Sequence, residues 1–315
     1  MRRLAAFVLF LLVAAPAWAG EEQRVARHVP LTPGQAAGSI VGALRFKGAL
    51  ELASPDRRFG GLSGFHVGGD GRAIAVSDRG YFIEFDLVED AEGNLVDAGA
   101  PAVTPMTDER GARLGGRQRD AEDLVVLPDG RRLVVFEHDP RLGWFAPGTA
   151  RLERVASLRD LVRGSNEDIE SVVALDDGRL LLIAEGLRSP KGGLSAWIGK
   201  PGQWAPLDYM PADGEHVAGA ALLPDGDLLV LERSATVLGG FRTRLLRVPG
   251  ADLRAGARLR GESLVELAAP GLADNFEAVA TRPLSDGRAA IYLVSDDNYF
   301  PLQRTYVVKF ETTAR

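Results

Sequence analysis

The sequence predicts an all-β protein built as a β-propeller, and three observations predict it. Five segments, residues 62–78, 121–137, 169–185, 217–232 and 276–296, repeat one pattern: a β-like run, an Asp-Gly turn, and a second β-like run ending in an acidic residue. The turns are Asp70-Gly71, Asp129-Gly130, Asp177-Gly178, Asp225-Gly226 and Asp286-Gly287, spaced by 59, 48, 48 and 61 residues, which is the period of a propeller blade with loop insertions. Helical windows are scarce, because 37 Gly and 18 Pro interrupt almost every stretch long enough for three turns.

Each repeat reads as a hairpin, and its Asp-Gly pair suits a type I′ turn with both central residues at positive φ. Further strands are expected at 81–88, 194–199, 203–210, 244–248 and 263–268, which brings the unit to four strands, the number in a blade. Residues 158–163 are expected to form a single helical turn. The N-terminal run 41–52 has no hairpin of its own, and the last unit offers only 305–311 as a third strand. The N-terminal strand is therefore expected to complete the final blade and close the ring. Five blades are counted; a sixth would require a degenerate blade in the insertion between Gly80 and Arg119.

Before the repeats lies an export signal. Arg2 and Arg3 form a positive start, residues 4–15 an apolar stretch, and Ala17-Trp18-Ala19 an A-x-A cleavage site. Residues 1–19 are read as a signal peptide, 20–40 as an N-terminal extension, and 41–315 as one propeller domain. Twelve apolar residues are too few to cross a bilayer, and no later stretch reaches the roughly 18 required. A periplasmic or secreted protein, monomeric and without a membrane span, is the expectation.

Composition narrows the chemistry. Cysteine is absent, so disulfides, thiolate metal sites and cysteine nucleophiles are excluded, and any metal must be held by oxygen or imidazole. The formal charge of −6 becomes −8 once the two leader arginines are removed, and there is no run of basic residues, which argues against a nucleic-acid partner. No H-E-x-x-H motif, P-loop or dinucleotide fingerprint occurs. Ser63, in Gly61-Leu62-Ser63-Gly64, is not a nucleophile elbow, because it opens a strand and glycine follows it at once.

In an antiparallel hairpin the start of the first strand lies beside the end of the second. Glu122, Glu170 and Glu277 stand at the starts, with Ser63 and Ala218 at the equivalent places; Asp78, Glu137, Glu185, Glu232 and Asp296 stand at the ends. Eight carboxylates are thus expected around one mouth. Crowded there, they must be protonated, paired with arginine or bridged by a cation, and calcium takes six to eight such oxygens in flexible geometry. Arg79, Arg188, Arg233 and Arg304 lie just beyond the strand ends, suited to pair with the acids or to grip an anion. His138 and His216 join the same face. Asn166, Asp168 and Glu170 alternate and would share one side of an extended segment as a further ligand set. The same charges also suit plain inter-blade salt bridges.

Several of these segments carry a family likeness. Gly61-Leu62-Ser63-Gly64 with Ser77-Asp78-Arg79-Gly80, Asp120-Ala121-Glu122 with Glu137, Asn166-Glu167-Asp168-Ile169-Glu170 with Glu185-Gly186, and Asn275-Phe276-Glu277 with Ser295-Asp296-Asp297-Asn298 and Gln303-Arg304-Thr305 together resemble the phytase-like family, the esterase-like activity of phytase. The resemblance spans nearly all of the chain after the leader. It implies an exported propeller that hydrolyses phosphate esters with calcium held by Glu122, Glu170, Glu185 and Glu277, polarising the phosphoryl oxygen and activating water. On that reading Glu122, Glu170 and Glu277 form the catalytic centre, Asp78, Glu137, Glu185 and Asp296 ligate metal, and Arg79, His138 and Arg304 bind a small anionic substrate. The chain departs from a polyphosphate binder in lacking a lysine-rich pocket and in carrying Ala218 where other blades have Glu. Two alternatives stand beside it: a lactonase-like metal-dependent propeller, and a non-catalytic propeller that binds a cell-envelope component.

Overall fold

The computed structural model describes residues 25–162, 169–212, 215–236 and 239–313. The leader read at residues 1–19 lies outside the described residues, as do Asn166, Glu167 and Asp168. The described residues form five sheets and two short 3-10 turns, with no α-helix among them. None of their helices is long and apolar enough to cross a membrane.

Blade 1 runs outward through Leu62–Val67, Arg72–Ser77 and Tyr81–Glu89, with Leu95–Ala98 and Ala102–Pro105 both paired to its third strand. The long insertion therefore belongs to blade 1 and adds no sixth blade. Blade 2 is Ala121–Val126, Arg132–Phe136, Arg141–Phe145 and Leu152–Ser157. Blade 3 is Ile169–Ala174, Leu180–Arg188, Leu194–Lys200 and Gln203–Tyr209, edged by Arg258–Leu259 in parallel. Blade 4 is His216–Leu222, Leu228–Thr236, Gly240–Val248 and Glu262–Ala268. Blade 5 takes Phe276–Pro283, Ala289–Ser295 and Thr305–Thr312 from the C-terminal end and Leu44–Leu52 from the N-terminal end. The strand from the chain's start thus closes the ring, as the missing hairpin partner required.

The five innermost strands pack side by side in order, with blade 5 against blade 1. Five apolar cores fill the wedges between neighbouring blades. A second strand feeds two of them by alternation: Leu133 and Val135 of blade 2 face blade 3, while Val134 and Phe136 face blade 1. Burial on both faces explains why these strands read as unbroken apolar runs, each Leu or Val stabilising by roughly 1.5–3 kcal/mol.

The Asp-Gly turns differ from the type I′ expectation. Only the glycines sit at positive φ, from 77° to 86°, and none of the five aspartates does. In blade 1 Gly71 N donates to Gly68 O and Gly68 N to Arg72 O, which is a three-residue loop with glycine in the left-handed position. Aspartate serves the turn otherwise: its carboxylate accepts the N–H two residues on, at Arg72, Arg131, Arg179, Asp227 and Arg288. Within 158–163, the described part is a turn closed by Leu161 N to Leu158 O, with no helix.

Candidate functional site

Every innermost strand carries a β-bulge at its first turn of pairing. Leu62 opposes Ser77 and Gly64 opposes Val76, so Ser63 has no partner. The same break leaves out Glu122, Glu170, Ala218 and Glu277 in blades 2 to 5. A bulge re-aims the extra side chain and bends its strand, and here it does so five times around one channel. The residue after each bulge is small where neighbours press: a Cβ on Gly64 would lie 2.5 Å from Leu124 N, and one on Gly219 2.9 Å from Glu277 O.

One residue beyond the second-strand partner that closes each bulge stands a second ring: Asp78, Glu137, Glu185, Arg233 and Asp296, of which Arg233 is still paired, with His216. Glu232 is not a member. It pairs with Val217 and turns into the blade 3–4 interior, where it accepts hydrogen bonds from the Tyr209 hydroxyl (2.8 Å) and Ala212 N (3.3 Å). The mouth therefore holds seven carboxylates in two rings; blade 4 contributes Ala218 and Arg233 to them, and blade 1 contributes Ser63 beside Asp78.

The seven interact. Burial, then the charges of Glu170, Glu137, Asp120 and Glu277, raise the Glu122 carboxyl well above the ordinary range. Burial followed by Glu185 and Glu277 does the same to Glu170. Burial and Asp120 push Asp78 up to about 6, and burial and Glu277 push Asp296 up to about 8. Asp78 Oδ1 is buried with no hydrogen-bond partner. Arg233 is the cation inside this group: it is bonded to Glu277 and Asn275 and lies 3.5 Å from Glu185, with 17% of its side chain exposed.

At the lip, Asp120, Glu137 and His138 each offer one ligand atom, all within 4.8 Å of one another. His138 sits at φ 37°, and its Nδ1 lies 3.0 Å from Glu137 and 3.4 Å from Asp120. Sequence reasoning assigned Asp120 no role, although it precedes Glu122 by two residues as Asn275 precedes Glu277. Two carboxylates and one imidazole fit a divalent cation, and Asp78, whose Oδ1 has no hydrogen-bond partner, lies near enough for Asp120 to oppose its charge.

The other anticipated residues lie further out. Arg79 stacks on the Tyr299 ring, 3.2 Å from its centroid. Arg304 points away from the acids, with Nε 3.4 Å from Glu51 and Nη1 on the carbonyls of Pro301 and Gln303. Arg188 ends its strand exposed. His216 borders a cleft of about 510 Å3 together with Arg233, Phe241, Asn298, Glu185 and Glu277. The opposite end of the channel is an apolar cavity of about 180 Å3 touched by all five inner strands, with His66 as its titratable side chain.

A family model described as phytase-like, esterase-like activity of phytase, matches residues 57–299. None of the curated proteins compared matches the chain. Among solved structures it is similar to a luciferin-regenerating enzyme (11% identity, 81% of this chain and 93% of that one, TM-score 0.44). It is also similar to virginiamycin B lyase from Staphylococcus aureus (8%, 84% and 99%, TM-score 0.42). A third is the PQQ-bound aldose sugar dehydrogenase from Streptomyces coelicolor (14%, 91% and 97%, TM-score 0.41). Similarity at this level carries no statement about chemistry.

Proposed function

Since the chain belongs to the phytase-like family, esterase-like activity of phytase, we infer that it hydrolyses a phosphate ester at the acidic mouth with the help of a divalent cation, calcium being the ion the family likeness implies. One observation carries the reading: three bulged glutamates and four strand-end acids converge on one opening whose two rings include one arginine, the half-buried Arg233. The leader read at residues 1–19 is expected to send this activity to the periplasm or beyond.

Asp120, Glu137 and His138 would hold the cation, with Asp78 beside them. A cation there supplies charge to a phosphoryl oxygen and acidifies water. Glu122 and Glu170 lie within electrostatic reach of each other below the lip, so they do not both ionise readily. The protonated member suits proton donation to the departing alcohol, and the ionised member suits proton removal from the attacking water. Glu277 is tied to Arg233 and Asn275, which fixes its orientation towards the same space.

Melting curves and phosphate release with calcium, manganese and zinc test this. An ion at about 100-fold over its Kd should raise the melting temperature by roughly 5–10 °C. Glu137→Gln should abolish the rise, whereas Glu122→Gln and Glu170→Gln should keep it and lose about 10²–10⁴-fold in turnover. Melting curves unmoved by every ion at millimolar concentration would remove the cation from the account.

A further inference from the structure

Blade 4 breaks the symmetry of the mouth in two ways at once, and it shares with blade 3, whose second strand continues to Arg188 opposite Leu194, a hairpin that runs on past the opening. Its bulge position is Ala218 where blades 2, 3 and 5 carry glutamate, and its strand-end position is Arg233 where all other blades carry an acid. Its second and third strands also stay paired past the mouth as far as Thr236 opposite Gly240, whereas the second strands of blades 1, 2 and 5 stop at Ser77, Phe136 and Ser295. The overhanging hairpin carries Ala235 and Phe241 as register partners, and both border the 510 Å3 cleft with Arg233 and His216. One sector of the opening thus sets a guanidinium, an imidazole and the Phe241–Ala235 pair beside the carboxylates of Glu185 and Glu277.

We propose that this sector is the substrate's binding subsite and that it takes a phosphate monoester of a compact aromatic alcohol, the phosphoryl group lying at Arg233 and His216 and the ring against Phe241 and Ala235. The inference rests on the hydrolase reading above and adds the substrate class. Arg233 is held through Nη1 by Glu277 and Asn275, with Nη2 3.5 Å from Glu185, so a phosphoryl group would meet its Nε–Nη2 edge and replace the longer Glu185 contact. A flat ring fills a narrow apolar wall and keeps few rotors to freeze. A polyphosphorylated ring is disfavoured, because each further phosphate would meet Asp78, Glu122, Glu137, Glu170 or Asp296 around the remaining mouth, with Arg233 as the one cation of the two rings.

Two variants and three ligands test it: phenyl phosphate, methyl phosphate and inositol hexakisphosphate, each titrated calorimetrically and assayed for phosphate release in the presence of the activating ion. Phenyl phosphate should bind at least about tenfold more tightly than methyl phosphate, and Phe241→Ala should erase that difference. Ala218→Glu installs the side chain that three blades already accommodate at this bulge; it should weaken phenyl phosphate binding at least tenfold while leaving the ion-induced melting shift at the blade 2 lip unchanged. Equal binding of phenyl and methyl phosphate, tighter binding of the hexakisphosphate, or indifference of both variants would overturn the subsite. Binding of phenyl phosphate with the expected variant effects but no phosphate release would sink the hydrolase reading and leave the subsite standing.

Discussion

Glu122 and Asp123 are neighbours with opposite duties. Glu122 is left out of the ladder and faces the mouth, while Asp123 is buried and spans two blades: its Oδ2 accepts from Val172 N of the adjoining inner strand at 2.9 Å. Burial pushes its carboxyl up to about 8. At this scale the candidate acids were mostly legible, because hairpin geometry pairs strand starts with strand ends. The exception, Glu232, came from matching acid with acid. Counting works better: Asp78, Glu137, Glu185 and Arg233 each stand seven residues after their turn glycine, which selects Arg233 and rejects Glu232. The raised carboxyls also fix a pH dependence. Asp78 near 6 and Asp296 near 8 stand above the ordinary aspartate value, so the folded metal-free protein binds extra protons between pH 4 and 8. Their contribution to stability is therefore present at pH 4 and is lost as pH rises through 6 and 8. Metal-free melting temperature should fall across that window, and saturating divalent ion should flatten the fall; a metal-free curve that rises steadily from pH 4 to 8 would contradict the burial of these acids.

The bulged inner strand is the element on which the site depends. In blades 1 and 4 the inner strands crowd the channel so closely that the residue after the unpaired one is glycine, Gly64 and Gly219, whereas in blade 2 the follower is Asp123, whose side chain bridges to the next strand. Gly64→Ala should cost about 1–3 kcal/mol through the clash with Leu124 N, read as a lower denaturation midpoint. A midpoint equal to the parent's would mean that the strands are further apart than described. Strand positions were legible from the apolar runs and the turns, but the bulges were not. A bulge is a mismatch between two strands, two residues against one, and no single strand's sequence displays it. The turn type was misread for a related reason: Asp-Gly suits two loop lengths, and the hydrogen bonds from Gly71 to Gly68 and from Gly68 to Arg72 decide for the longer one.

At the scale of the whole molecule the repeat did most to disclose the architecture. Spacings of 48 to 61 residues required blades, and the unpaired N-terminal run required closure by Leu44–Leu52 against Thr305–Thr312. The count of five rests on Leu95–Ala98 and Ala102–Pro105 pairing with the third strand of blade 1, a pairing that their short, half-exposed runs do not advertise. Blades 1 and 2 bring Asp78, Asp120, Glu137 and His138 to one lip, and ring closure sets Glu277 and Asp296 of blade 5, far apart in sequence, within electrostatic reach of Asp78. That convergence is the central claim. Anomalous diffraction from a crystal grown or soaked with manganese, as a visible substitute for calcium, tests it directly. The expected result is a peak bonded to Asp120, Glu137 and His138 at the mouth; a mouth without a peak while the same crystals show manganese elsewhere would contradict it.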